Sequence, residues 1–115
     1  YMAYPLGCAA ANASLDLFES EPRLQQIHAI EAQLIEELAP CRAARNVRDV
    51  RVRGAIGAVQ MSSAVDAVGL RARFVEKGCW IKPFGDVIYL TPPFVIAPND
   101  LSKLTRAIVD EVRRE

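Results

Sequence analysis

Apolar residues recur along this chain with two different periods, and each change of period marks the boundary of a short element. From Pro5 to Phe18 the pattern predicts a helix, with Pro5 suited to a first turn and Ala9, Ala10, Ala11 and Ala13 all favouring helix. Its apolar residues run nearly all the way round, so it needs covering on several sides, more than one small domain supplies. Ser20 is placed to cap a second helix with Pro22 in its first turn, which runs to about Leu38 before Pro40 stops it. Ile27, Ile30, Leu34 and Leu38 form its buried stripe. From Val47 the period becomes two: Val50 and Val52 alternate with Asp49, Arg51 and Arg53, as in a half-buried strand. Ile56 to Met61 reads as a second strand. With Gly54 and Gly57 between and within them, the two form either a bent hairpin or one long strand bulged at the glycines.

A third helix is expected over Val65 to Lys77, with Leu70, Phe74 and Val75 inward and Gly78 as its stop. Trp80 to Lys82 and Val87 to Leu90 read as short strands on either side of the turn Pro83, Phe84, Gly85, Asp86. Pro92 and Pro93 end that pairing. The last helix begins at Pro98 and carries Leu101, Leu104, Ile108 and Val112 at helical spacing, with Arg113 and Arg114 at its negative end. The order ααββαββα describes an α+β unit with a small, mostly antiparallel sheet.

With 115 residues the chain suits one compact unit. Its 14 Lys and Arg balance 14 Asp and Glu, which gives no long-range field to gather nucleic acid or an anionic membrane surface. No apolar run approaches the roughly 20 residues that span a bilayer. Small-molecule partners fit better. Cys8, Cys41 and Cys79 are odd in number and lack the paired spacing of disulfide frameworks or zinc sites, which points to a reducing, cytoplasmic compartment. The absence of an initiator Met before Tyr1 is taken as the mark of a fragment.

Little catalytic chemistry is available. His28 is the single histidine and lies beside an apolar stripe, without an obvious partner. The cysteines read as small hydrophobes. Gly54 and Gly57 lack both the third glycine of a dinucleotide fingerprint and the Gly-Lys-Ser/Thr ending of a phosphate loop. Arg51 and Arg53 share a strand face without interleaved aromatics, as solvated strand residues do. The segment WIKPFGDVIYLTPPF is different. It projects Lys82 from a strand beside Trp80, Phe84 and Tyr89, a setting in which an anionic group can be held in a partly dry site.

That segment, within GCWIKPFGDVIYLTPPFVIAP, resembles the Trp-(Ile/Leu)-Arg-Pro-Phe-Gly stretch, with its following Tyr-Leu and Pro-Pro, of the adenosylmethionine-8-amino-7-oxononanoate aminotransferase family. RDVRVRGAIGAVQ is similar to that family's strand pair, and YMAYPLGCAAANASLDLFE to its Tyr-Met-x-Asn-Pro-Leu helix start. The three stretches occur in the family's order and cover nearly the whole chain. The resemblance implies the C-terminal small α+β domain of a fold type I, class III aminotransferase that uses pyridoxal 5'-phosphate. Residues 1 to 20 then belong to the junction with a large domain, and residues 21 to 115 to the small domain itself.

The resemblance also implies an activity in biotin biosynthesis: amino transfer from S-adenosyl-L-methionine to 8-amino-7-oxononanoate, giving 7,8-diaminononanoate, in a homodimer with sites at the subunit interface. The lysine that bonds the cofactor lies upstream in the family, so no catalytic residue is expected in this chain and the chain alone is expected to be inactive. Lys82 falls where the family has a substrate-binding arginine, with Phe84 beside it. Tyr1, Met2 and Tyr4 fall near the cofactor. Lys82 keeps the arginine's charge and loses its bidentate fork. Tyr4 replaces a capping Asn, and Ala3 and Gly7 also depart from the common family residues. Two further readings are another class III aminotransferase with a different amine specificity, and a standalone non-catalytic binding module of the same fold.

Overall fold

The computed structural model describes residues 2 to 114. Helix α1 (Pro5–Ser20) leads into α2 (Arg23–Leu38) and a short 3-10 helix (Ala39–Ala43). Strands β1 (Val47–Arg53) and β2 (Ile56–Met61), helix α3 (Ala67–Glu76), strand β3 (Val87–Leu90) and helix α4 (Pro98–Arg114) complete the order. The strands form one antiparallel sheet in the order β1-β2-β3. The expected α+β class therefore stands.

β1 and β2 are a hairpin closed by the pair Arg53 and Ile56, with Gly54 turning the chain at φ 54°. That settles the two alternatives, because the bulge lies elsewhere: the register slips between Val47 and Asp49, leaving Arg48 as the extra residue. β1 is an edge strand, and side chains occupy the polar groups of Val50. Arg42 donates to its carbonyl at 2.6 Å, and the Asp49 carboxylate accepts its N–H at 2.8 Å.

Alternation sends Val50, Val59, Met61, Ile88 and Leu90 to one face of the sheet, where all are buried. Ile30, Leu34 and Leu38 of α2, Leu70 and Phe74 of α3, and Leu101, Ile108 and Val112 of α4 join them in one core. Gly57 marks a close approach of the sheet to α2, since a Cβ there would lie 2.9 Å from a Leu38 methyl. α3 is pinned to α4 by the buried Glu111 carboxylate, which accepts from Arg73 at 2.6 Å and pairs with Lys77 at 2.8 Å. α2 is tied to α4 by Glu37, which accepts from Ser102, Thr105 and Gln33.

Four local expectations change. The expected strand Trp80 to Lys82 is extended but unpaired, so the order has one strand fewer than ααββαββα. Only the bridge between Phe84 and Val87 forms, and past it Pro83 has no N–H to donate while Pro92 and Pro93 remove donors from the facing arm. Ser20 does not cap α2; α1 extends to include it, and its hydroxyl donates back to the Asp16 carbonyl. Val75 is exposed rather than inward, because α3 presents Leu70 and Phe74 to the core. Cys8 is exposed, since α1 buries no residue at all.

Candidate substrate-facing site

The face of the sheet turned away from the helices carries the aromatic and cationic side chains. Gly85, at φ 61°, and Asp86 make a two-residue turn closed by two hydrogen bonds of 2.9 Å between Phe84 and Val87. Bridge partners share a sheet face, so Phe84 lies on the side of Val87 and Tyr89, opposite the buried Ile88 and Leu90. Along the extended arm Cys79, Ile81 and Pro83 are buried while Trp80, Lys82 and Phe84 are exposed. Period-two alternation thus puts Trp80, Lys82 and Phe84 on one side.

Beyond the Phe84–Val87 bridge the two arms diverge and enclose a groove of about 310 Å³, lined by Trp80, Lys82, Tyr89, Pro92 and Leu104 among others. Lys82 is solvent-exposed, and no carboxylate pairs with it among the described residues. It is a free cation at an aromatic-walled groove, which can attract a carboxylate and let apolar chain lie on Trp80 and Tyr89. Its two fellow lysines are differently engaged: Lys77 is committed to Glu111, and the Lys103 side chain lies over Gly78.

The other expected site residues are not brought to this groove. Tyr1 lies outside the described residues. Met2 and Tyr4 are exposed at the start of α1, where Met2 and Ala3 both take left-handed φ values, 47° and 58°. Such backbone is uncommon for residues with a Cβ and turns the chain sharply into the helix. Tyr4 occupies the N-cap without a side-chain hydrogen bond, as expected of an aromatic in place of Asn. At the other end of α1, Phe18 meets Phe94 edge to face at 6.0 Å. Helical rise separates Tyr4 from that contact by about 21 Å.

The remaining candidates carry no reactive chemistry. His28 is exposed, 3.8 Å from Glu31. Burial pushes the Cys41 thiol up to about 11, far from thiolate character at neutral pH. Among the described residues no cluster of His, Cys, Asp and Glu is suited to a metal. Pyridoxal phosphate needs a lysine to bond, an acidic partner for the ring nitrogen and donors for the phosphate. The three lysines sit on a salt bridge, an exposed helix and an open groove, so these residues alone do not make its site. Sequence reasoning missed the polar residues Gln60 and Asp86 on this face. They meet across the sheet, and neither residue type nor spacing announces that.

A family model described as aminotransferase class-III matches residues 1–112. The adenosylmethionine-8-amino-7-oxononanoate aminotransferase of Buchnera aphidicola subsp. Acyrthosiphon pisum is 40% identical over 114 residues, which is 99% of this chain and 27% of that protein. The enzyme of the same name from Corynebacterium glutamicum is 36% identical over 108 residues, covering 94% and 26%. Among solved structures, the crystal structure of adenosylmethionine-8-amino-7-oxononanoate aminotransferase from Methanocaldococcus jannaschii superposes with a TM-score of 0.80 at 26% identity, over 93% of this chain and 27% of that one. The acetylornithine aminotransferase from Elizabethkingia anophelis gives the same TM-score and identity over 96% and 30%. The chain spans about a quarter of the length of the curated relatives it matches.

Proposed function

Because the chain belongs to the class-III aminotransferase family, we propose that it is the C-terminal part of a pyridoxal-phosphate enzyme of biotin biosynthesis. The whole polypeptide then transfers an amino group from S-adenosylmethionine to 8-amino-7-oxononanoate, yielding 7,8-diaminononanoate. The relatives' names supply that substrate pair. The observation that carries the reading onto this chain's own residues is the free Lys82 ammonium beside the groove walled by Trp80 and Tyr89. In this reading residues 1 to 20 belong to a junction with a large domain and residues 21 to 115 form the small domain that faces the substrate.

The cofactor supplies the electron sink for amino transfer and is held by parts of the enzyme outside this chain. The role of this chain is to bind and orient. Lys82 attracts the carboxylate end of the keto substrate, and the aromatic groove receives the chain next to it while keeping water from that end. Phe84, largely exposed at the turn, walls the same side. In this reading Met2 and Tyr4 face the cofactor side. The all-round apolar α1, none of whose residues is buried, supports a large-domain contact and a homodimer whose interface completes the sites. Three cysteines without a disulfide support a reducing, cytoplasmic setting.

An ammonium binds a carboxylate as a point charge, and a guanidinium adds a second parallel hydrogen bond. Lys82→Arg in the full-length enzyme is therefore expected to lower KM for the keto substrate about fivefold, and Lys82→Gln to raise it about tenfold, with kcat at saturation little changed. Unchanged KM in both variants would remove the carboxylate from Lys82. A broad panel of amino donors run alongside tests the second reading, in which Lys82 in place of arginine favours other amines. Turnover with those donors but none with S-adenosylmethionine selects it.

A further inference from the structure

The turn that follows Lys82 is tied to the neighbouring strands by side chains on the same sheet face. On the solvent face, Arg51 of β1 donates through Nη1 to Asp49 at 2.8 Å and to the Gln60 side-chain oxygen at 2.7 Å. Gln60 of β2 in turn donates through Nε2 to the Asp86 carboxylate at 2.9 Å. The chain of bonds runs Asp49, Arg51, Gln60, Asp86, links β1 to β2, and ends in the Gly85–Asp86 turn that leads into β3. A charge stands at each link except Gln60, whose amide accepts from a cation on one side and donates to an anion on the other. Its amide does both at once through separate oxygen and nitrogen atoms while the side chain stays neutral.

The same turn is also fastened by its backbone. Met61 N–H donates to the Asp86 carbonyl at 2.7 Å and Val65 N–H to the Gly85 carbonyl at 3.1 Å. Those two bonds fix where the turn sits. Both are accepted by consecutive carbonyls of the turn. The Gln60–Asp86 bond grips the turn from the side, on the face that bears Phe84 and Tyr89. Lys82 stands two residues before the Phe84–Val87 bridge, and its arm has no ladder of its own, so the turn on one side and the buried Ile81 and Pro83 on the other set its direction.

We infer that Gln60 is a positioning residue: with Arg51 behind it, it holds Asp86 so that the turn directs Lys82 along the groove toward the substrate carboxylate. The inference rests on the proposed role of Lys82. It gives Arg51 a task other than solvation of a strand face, and makes Asp86 more than a turn former.

The test is a set of variants of the full-length enzyme assayed with the keto acid and with its methyl ester, which lacks the carboxylate charge. Gln60→Met keeps the side-chain length and removes both bonds. Gln60→Glu keeps the bond from Arg51 and sets two carboxylates against each other at Asp86. Each single variant is expected to raise KM for the acid about fivefold, the effect of one hydrogen bond of about 1 kcal/mol, with kcat at saturation and KM for the ester unchanged. Gln60→Glu combined with Asp86→Asn exchanges donor and acceptor across the same contact and is expected to restore KM for the acid to within about twofold.

Equal rises for acid and ester, or no rescue by the exchanged pair, would overturn the positioning role. So would an unchanged KM in Gln60→Met while Lys82→Gln raises it, a result that leaves Lys82 as the anchor. If Lys82→Gln itself leaves KM for the acid unchanged, the anchor fails and the positioning role falls with it. Should Gln60→Glu not fold, Gln60→Met and the exchanged pair still decide between these outcomes.

Discussion

Replacing Glu111 by Gln is expected to destabilise the chain by about 2 kcal/mol. The Glu111 side chain is 1% exposed, accepts from Arg73 at 2.6 Å, pairs with Lys77 at 2.8 Å, and has Arg114 at 3.4 Å. Two charge-assisted bonds of roughly 1.5 to 3 kcal/mol each sum to about 3 to 6 kcal/mol. The Arg73 and Lys77 side chains, however, retain 36% and 27% exposure, so water takes them up when the carboxylate is lost, which cancels about half of that sum. Gln keeps the volume and one acceptor, so no cavity adds to the loss. Two kilocalories correspond to about 10 °C in Tm for a chain of this size.

The pH dependence carries an independent check of the same contact. Burial by itself would raise the Glu111 carboxyl, but hydrogen bonds and charge from Lys77 and Arg73 outweigh it and hold the group below its ordinary value of 4.5. A carboxyl depressed in the folded state stabilises in full above its unfolded value and loses that contribution as pH falls through the folded one. Urea unfolding followed by circular dichroism, run on the parent chain and Glu111→Gln, should therefore show a gap of about 2 kcal/mol at neutral pH that shrinks as the pH falls below the ordinary carboxyl value of 4.5. A gap under about 0.5 kcal/mol at neutral pH, or one that persists in acid, would refute the account of Glu111 as the clamp between α3 and α4.

Other expectations follow from the same structure. Deleting residues 1 to 20 should leave the urea midpoint of the remaining chain nearly unchanged, because α1 buries none of its residues; a large drop would show that the helix belongs to the small-domain core. Gly57→Ala should cost about 1 to 3 kcal/mol by overpacking against Leu38 and Leu34, measurable as a lower thermal midpoint. In a thiol titration with an aromatic disulfide, Cys8 should react at once, whereas Cys41 and Cys79, both buried, should react only as the chain unfolds.

The helices and the strands β1 and β2 were legible because their signals are local, whereas the pattern left open whether the two strands form a hairpin or one bulged strand. The stripe Ile30, Leu34, Leu38 and the alternation around Val50 and Val52 each report one face of one element. Lys82 was legible for the same reason, as one exposed position in an alternating run. What escaped depends on residues distant in sequence. The arm from Trp80 to Lys82 has strand alternation without a strand's pairing, because the prolines that block its ladder act across the gap between two arms. Glu111 reads as an ordinary charge in a helix end until α3, 38 residues earlier, brings Arg73 onto it. Gln60 and Asp86 are 26 residues apart and meet only through strand register.

The occupied edge of β1 bears on how this sheet behaves toward its own kind. An exposed strand edge offers a row of donors and acceptors on which a second chain can grow. Here the midpoint of that row is already taken, the Val50 carbonyl by Arg42 and the Val50 N–H by the neighbouring Asp49. The bulge at Arg48 bends the row just before it. An incoming strand would have to displace a guanidinium and a carboxylate before forming its first central bonds. The sheet thus ends at β1 on an edge whose midpoint is already occupied, which disfavours edge-to-edge pairing with a second copy.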